Sequence, residues 1–129
     1  MRRILAVLGL FTLFASPVRA DDPSCNPTSS SVLVAFAFEE ITVSTTVKIL
    51  TRATWKPTDG TGAVMAFITF ADAAARFNVD GSVPSTTSGH IAADASSLKI
   101  CTDSIGKFQV IRDDGTDVEM SVSYYRYPQ

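Results

Sequence analysis

The feature that most constrains the fold is an alternation of apolar and polar residues with a period of two. It is clearest in residues 41–49, where Ile41, Val43, Val47 and Ile49 alternate with polar side chains. Successive side chains of a β-strand point to opposite faces, so this pattern predicts a strand that is buried on one face. Beyond residue 20 we find no convincing helical period, although residues 71–74 have room for one helical turn.

Seven segments carry this pattern or are rich in β-branched and aromatic residues. Glu39 and Glu40 stand between the first two segments and mark either a tight turn or a bulge within one long strand. Asp-Gly pairs at 59–60 and 80–81 mark turns, and residues 113–116 predict a hairpin turn. About seven strands predict one all-β domain at residues 31–129, an antiparallel β-sandwich or a small barrel. The seven segments are residues 31–39, 41–49, 63–70, 75–80, 96–101, 107–112 and 117–127.

The first 20 residues have the composition of a secretory signal peptide. Arg2 and Arg3 precede an apolar run at residues 4–14, and the small residues Val18 and Ala20 occupy the positions of a cleavage site. We therefore predict export to the periplasm or the medium, with residues 21–30 as a polar leader. The apolar run is shorter than the ~20 residues of a membrane span, so we expect no span after cleavage. An uncleaved anchor is the alternative.

The charge of the remaining chain argues against two classes of partner. Removal of residues 1–20 leaves eight basic and 13 acidic residues, a net charge of −5. The basic residues are scattered singly and form no stripe that could neutralise phosphates. We therefore expect neither nucleic acid nor an anionic membrane as a partner.

Cys25 and Cys101 are the only cysteines of the chain. In an oxidising compartment they predict one disulfide that ties the leader to the second half of the domain. A pair of intermolecular bridges is the alternative. The count and the spacing exclude a CxxC redox motif and a cysteine-based zinc site.

The only histidine, His90, does not predict catalysis. Ser88 and Asp94 are near it in sequence, but the members of a triad converge from separate segments. We expect a loop histidine that hydrogen-bonds nearby backbone, with ligand contact as the alternative. The acidic cluster at residues 113–117 lacks the spacing of a calcium loop and predicts a plain acidic turn. We thus expect no enzyme, no cofactor and no metal.

Aromatic residues supply the other candidate binding positions. Trp55 lies near a predicted loop tip, and Tyr125 and Tyr127 share the face of the last strand opposite to Tyr124, which we expect in the core. Exposed aromatic rings stack on sugars or anchor protein partners. Ordinary packing and subunit contacts are the alternative role for these three residues.

Several short segments between residues 75 and 126 follow one another in a characteristic order and spacing. They are Ala75-Arg76-Phe77, Val79-Asp80-Gly81, Pro84, Thr86, Gly89-His90, Phe108, Ile111-Arg112, Val122 and Tyr124-Tyr125. By this order the stretch resembles small β-rich proteins encoded among the structural genes of tailed bacteriophages. The resemblance implies a β-rich fold and a virion-associated role without catalysis. Such proteins usually lack an export signal and a cysteine pair, whereas this chain carries both, which would fit reuse of the fold in an exported protein.

These observations favour an exported, non-enzymatic structural or interaction module that binds protein partners or itself. A secreted module that binds a carbohydrate or a small ligand through Trp55, Tyr125 and Tyr127 is the alternative. A hydrolase centred on His90 is a third hypothesis, for which no substrate is indicated.

Overall fold

The computed structural model describes residues 32–129, so the predicted signal peptide, the leader and Cys25 lie outside the described residues. Within this range the chain forms eight strands and two four-residue helices. The elements are β1 (Val34–Val43), β2 (Lys48–Ile49), α1 (Arg52–Trp55), β3 (Met65–Ala71), β4 (Ala75–Asn78), β5 (His90–Ala92), β6 (Ser97–Cys101), α2 (Thr102–Ile105), β7 (Gln109–Arg112) and β8 (Val118–Arg126).

The strands form two antiparallel sheets of four strands each, which confirms the predicted all-β class. The first sheet has the order β1-β8-β3-β6, and the second has the order β2-β7-β4-β5. Buried residues of both sheets, such as Ile68 of β3 and Val110 of β7, belong to one hydrophobic core. Phe70 of the first sheet stacks on Phe77 of the second, with 6.5 Å between ring centroids. The two sheets therefore pack against each other as in a sandwich.

The alternation of β8 is the most regular in the molecule. Val118, Met120, Val122 and Tyr124 are all fully buried, as expected of an inward-facing row. β8 lies between β1 and β3, so its register sets which residues of those strands face the core. The predicted central position of residues 63–70 is likewise confirmed, because β3 lies between β8 and β6.

The prediction that residues 41–49 form one strand is wrong. β1 ends at Val43 in the first sheet, and β2 begins at Lys48 in the second. The chain bends between them, where the backbone N–H of Thr46 donates to the Ser44 hydroxyl. Ile49 consequently does not share a face with Val43: it is 64% exposed, whereas Val43 is fully buried. Val47 and Ile49 resume the period of two beyond this crossing, which conceals it in the sequence.

Glu39 and Glu40 do not form a turn, because β1 runs continuously through them. The irregularity lies earlier, between Ala35 and Ala37, where the register against β8 shifts by one residue. Such a bulge places an extra residue opposite one partner and reverses the face of the residues on one side of it. Neither interpretation of the acidic pair is therefore correct, because Glu39 and Glu40 are in regular register with β8 and the bulge lies elsewhere.

Three further expectations about connections change. Residues 113–116 do not close a hairpin, because β7 belongs to the second sheet and β8 to the first. Both helices fall in segments predicted as loops or turns, at residues 52–55 and 102–105. Residues 71–74 form no helical turn, since Asp72 has a φ of 75°. The turn at Asp80 and Gly81 is confirmed, with a φ of 91° at the glycine.

We expect Phe70→Ala and Phe67→Ala to have very different effects on stability. Phe70 is 1% exposed and faces the core, whereas Phe67 is 37% exposed on the opposite face of the same strand. Truncation of a buried phenylalanine to alanine lowers the unfolding free energy by about 3–5 kcal/mol. Truncation of an exposed phenylalanine lowers it by much less. Urea unfolding followed by tryptophan fluorescence measures both. Similar losses for the two variants would contradict the orientation of β3.

Candidate protein interface

The side of the first sheet that faces away from the core, here called the outer face, contains a row of four cross-strand neighbours. Phe38 of β1 is opposite Ser123 of β8, Ser123 is opposite Phe67 of β3, and Phe67 is opposite Lys99 of β6. Side chains that are direct partners in an antiparallel ladder lie on the same face. The row therefore places two phenylalanine rings on one surface with a serine between them.

Both rings are accessible to solvent. Phe38 is 58% exposed and Phe67 is 37% exposed. We call these two residues and Ser123 the Phe38–Phe67 patch. A shallow depression lined by residues 35–38 and Ser123 adjoins it. An exposed apolar patch on a sheet face is a common feature of protein interaction sites.

The bulge in β1 brings Phe38 to this surface. Phe36 is the extra residue of the bulge; it packs against the core, and the guanidinium of Arg126 lies 4.5 Å from its ring centroid. Downstream, Ala37 pairs with the buried Tyr124, so the next residue, Phe38, points outward. A regular strand would place Phe36 and Phe38 on one face, and the bulge is the reason that they lie on different faces.

On one side of the patch, three of the four neighbouring side chains are small and uncharged. The neighbouring outer row consists of Glu40, Ser121, Thr69 and Ser97, which are direct partners in turn across the four strands. Serine and threonine side chains add little height, so a second surface can approach closely. The charged residues Glu40 and Lys99 lie on opposite edge strands of this face, β1 and β6.

The edges of the two sheets differ in length and protection. β2 and β5 are edge strands of two and three residues, and β6 carries Lys99. β1 is an edge strand of ten residues, but it contains the bulge and the acidic pair at 39–40. Bulges and charges on an edge strand oppose pairing with another strand. The outer face is therefore a better candidate interface than the edge of β1.

Glu39 points inward and anchors β1 to the core. Its carboxylate accepts a hydrogen bond from the hydroxyl of Tyr124 and another from the backbone N–H of Thr51, at 3.1 Å. Burial raises the pKa of the Tyr124 hydroxyl far above its ordinary value, and the hydrogen bond to Glu39 is the second largest cause. A buried phenol that donates to a carboxylate is stabilised in its neutral form.

Trp55 is not an exposed loop aromatic. It ends α1, is half-buried and packs against the core. Its ring lies so close to Gly106 that the Cβ atom of any larger residue there would be 3.4 Å from the indole. Its backbone carbonyl accepts a hydrogen bond of 2.7 Å from Ala63. These contacts give Trp55 an evident packing role.

His90 lies at the start of β5, in the second sheet, and its side chain is exposed. Its ring is 5.5 Å from that of its cross-strand partner Phe77. The nearby Asp80 carboxylate accepts hydrogen bonds from the hydroxyl and backbone N–H of Ser82, which together lower the pKa of Asp80, with a small contribution from His90. His90 is on a different sheet from Tyr125, so the structure does not bring the candidate residues together into one site.

Tyr125 and Tyr127 lie at the end of β8 and beyond it. Tyr125 is half-buried, and its backbone carbonyl accepts a hydrogen bond from Val64 at 2.9 Å. Tyr127 is 41% exposed. Tyr124 is fully buried, as expected from the sequence.

The acidic turn at residues 113–117 is explained by local ion pairs. Asp113 pairs with Arg76, and Asp117 accepts a hydrogen bond of 2.7 Å from Arg112. Within the described range no group of histidine, cysteine and acidic residues is arranged to hold a metal ion. In residues 32–129 there is also no helix with the length and apolarity to cross a membrane.

The comparisons with known proteins return no matching family model, no matching curated protein and no matching solved structure. The candidate interface consequently depends on the geometry of this chain alone.

Sequence reasoning did not single out Phe38 and Phe67 as site residues. The available signal was that both parent segments, residues 31–39 and 63–70, are apolar on both faces. For a strand in the middle of a sheet this pattern predicts burial on both faces. No other described element covers the outer face of the first sheet at Phe67. One of the two apolar rows of this segment therefore remains at the surface.

We expect the unfolding free energy to fall as the pH rises above the ordinary tyrosine pKa of about 10. The pKa of Tyr124 is raised in the folded protein, so only the unfolded chain loses this proton in that range. The loss is about 1.4 kcal/mol for each pH unit while the folded hydroxyl stays protonated. Urea unfolding in alkaline buffers should show this slope in the wild type and in Tyr125→Phe, and a smaller slope in Tyr124→Phe. Equal slopes in all three would contradict the buried Tyr124–Glu39 hydrogen bond.

Proposed function

We propose that the protein is an exported, non-enzymatic interaction module that self-associates through the outer face of its first sheet. The observation that carries this proposal is the row of Phe38, Ser123 and Phe67, which places two accessible phenylalanine rings on the outer face. Two apolar rings at the surface of a sheet lose unfavourable contact with water when a second face covers them.

The arrangement of charges favours a second copy as the partner. If two outer faces stack about a two-fold axis parallel to the strands, the β1 side of one copy lies over the β6 side of the other. Glu40 of each copy then approaches Lys99 of the other, and Phe67 of each copy lies over Ser123 of the other near the axis. Isologous contacts of this kind are the commonest in homodimers, and opposite charges at the rim set their register.

The size of the face sets the expected affinity. Four strands about 4.8 Å apart and about seven residues of roughly 3.3 Å each give a face of about 19 by 23 Å, or about 400 Å² per copy. This is about half of the ~800 Å² per partner that stable complexes bury. We therefore expect a weak dimer whose population depends on concentration, or an assembly in which several such contacts act together.

The export and the virion-like role belong to the same proposal. The signal-like residues 1–20, the cysteine pair and the pattern shared with phage structural proteins support an exported member of a β-rich structural class. Neighbouring genes for heads and tails would favour a virion component, and neighbouring genes for transport or the cell wall would favour an adapted exported protein.

The alternative is a module that binds a carbohydrate or a small ligand. Phe67 and Tyr125 are on the same outer face, two residues apart in pairing register, and aromatic rings on a flat face are able to stack on sugars. Trp55, the third aromatic residue of this hypothesis, lies at the end of α1, where it is half-buried. A glycan array hit that is lost in Phe67→Ala would favour this alternative over self-association.

We expect Phe38→Lys to abolish self-association. A lysine at this position removes an apolar ring and places a positive charge against Lys99 of the second copy, which lies in the same row on β6. Ile91→Lys is the matched control, since Ile91 is 60% exposed on β5 of the second sheet and lies outside the proposed contact. Sedimentation velocity from low- to high-micromolar concentration measures the monomer–dimer equilibrium.

The proposal requires a concentration-dependent dimer in the wild type and in Ile91→Lys, and a monomer in Phe38→Lys. A wild-type protein that stays monomeric at the highest concentration, or a dimer that is unaffected by Phe38→Lys, would overturn it. Circular dichroism of each variant confirms that the sheets are retained.

A further inference from the structure

An aspartate followed by glycine and then by serine or threonine occurs three times in the chain, at residues 59–61, 80–82 and 114–116. The aspartate of each copy is exposed to solvent. Because the three copies have nearly the same local sequence, differences in their chemistry have to come from the folded structure. The first copy differs from the other two in its hydrogen bonds.

In the second and third copies, the third residue holds the carboxylate of the first. The Asp80 carboxylate accepts a hydrogen bond of 2.6 Å from the Ser82 hydroxyl and one of 2.9 Å from the Ser82 backbone N–H. The Asp114 carboxylate accepts one of 2.8 Å from the backbone N–H of Thr116. Hydrogen bonds of this kind favour the ionised carboxylate, and those from Ser82 lower the pKa of Asp80.

In the first copy, Thr61 is bound by residues that follow β8. Its hydroxyl accepts a hydrogen bond of 3.1 Å from the side-chain amide of Gln129. Its backbone carbonyl accepts one of 3.4 Å from the guanidinium of Arg126, the last residue of β8. Among residues 32–129 the Asp59 carboxylate has no hydrogen-bond or ion-pair partner. No contact in this range therefore prevents it from turning towards the following backbone nitrogen.

An aspartate that precedes glycine is able to react with its own main chain. The glycine nitrogen attacks Cγ of the protonated carboxyl group, so that an N–Cγ bond forms and the Cγ–OH bond breaks. The hydroxyl leaves with the N–H proton as water, and a five-membered succinimide remains. Water then opens the ring at one of its two carbonyl groups, which gives either aspartate or isoaspartate, whose main chain runs through Cγ. Glycine favours the attack because it has no Cβ atom to obstruct it.

We infer that the folded protein isomerises spontaneously at Asp59–Gly60, through a succinimide to isoaspartate. The reaction needs a neutral carboxyl group that turns towards the main chain. The hydrogen bonds to Asp80 and Asp114 oppose both requirements, so these two aspartates are protected. The only co-reactant is water. This modification goes beyond the proposed self-association and does not depend on it.

The isomerisation alters a close contact between the loop and β8. Isoaspartate adds one methylene group to the main chain before Gly60, at a point where a Cβ atom on Gly60 would be 2.8 Å from a guanidinium nitrogen of Arg126. The same guanidinium lies 4.5 Å from the ring centroid of Phe36. The reaction therefore displaces Gly60 or Arg126. For the same reason Gly60→Ala is unsuitable as a variant that blocks the reaction, and Asp59→Glu is used instead, because its ring would have six members.

Incubation of the complete folded protein in mildly acidic buffer tests the inference. Peptide mapping by mass spectrometry with electron-transfer fragmentation measures isoaspartate at each of the three positions. Isoaspartate should accumulate at residue 59 several times faster than at residues 80 and 114, and Asp59→Glu should remove this fast component. The same incubation in urea abolishes the folded contacts, so the three rates should become similar there.

Ser82→Ala tests the cause of the protection. It removes the hydroxyl donor to Asp80 at an exposed position, and circular dichroism checks that the sheets are retained. The rate at residue 80 should rise, and the rate at residue 59 should stay unchanged. Equal rates at the three positions in the folded protein, faster reaction at residue 80 or 114, or the same ranking in urea would each overturn the inference. An unchanged rate at residue 80 in Ser82→Ala would also reject it.

Discussion

The arrangement of the first sheet depends on the inward row of β8. Four side chains of this strand are fully buried, and a slip of one residue would exchange all four for polar neighbours. At about 25 cal/mol per Å² of apolar surface, such a slip would cost several kcal/mol, so the register is strongly specified. Because β1 and β3 pair on either side of β8, this register also aligns Phe38 and Phe67 across Ser123. The candidate interface is thus a consequence of core packing.

The same sheet shows how an apolar outer surface is kept from uncontrolled strand pairing. The bulge at Ala35–Ala37 disturbs the long edge strand, and Glu39 and Glu40 place acidic groups in the straight part of β1. Glu39 is retained inside because Tyr124 and Thr51 donate hydrogen bonds to it. Protection of a strand edge prevents the unpaired backbone groups of that strand from pairing with another strand. It leaves the apolar side chains on the face of the sheet available for a different kind of contact.

Sequence patterns predicted the all-β class, the burial of Tyr124 and the central position of β3, because these depend on alternation within one strand. They did not predict the crossing between sheets at residues 44–47, because the alternation resumes at Val47 and Ile49 although the partner strand changes. Thr45, a polar residue at an inward position of the period, is a local sign of it. The sequence gives no sign of the bulge in β1, because the odd- and the even-numbered residues of 34–38 are all apolar. The interface residues were missed for this reason, since the face of Phe38 depends on a single extra residue.

Val34 of β1 and Arg126 of β8 lie side by side, because they are cross-strand partners. A short linker between them would permit a circular permutation with new termini at the exposed residues 114–116, which join the second sheet to the first. In such a molecule the connection between β7 and β8 is cut. Its folding would then reveal whether the remaining crossings are sufficient to bring the two sheets into alignment.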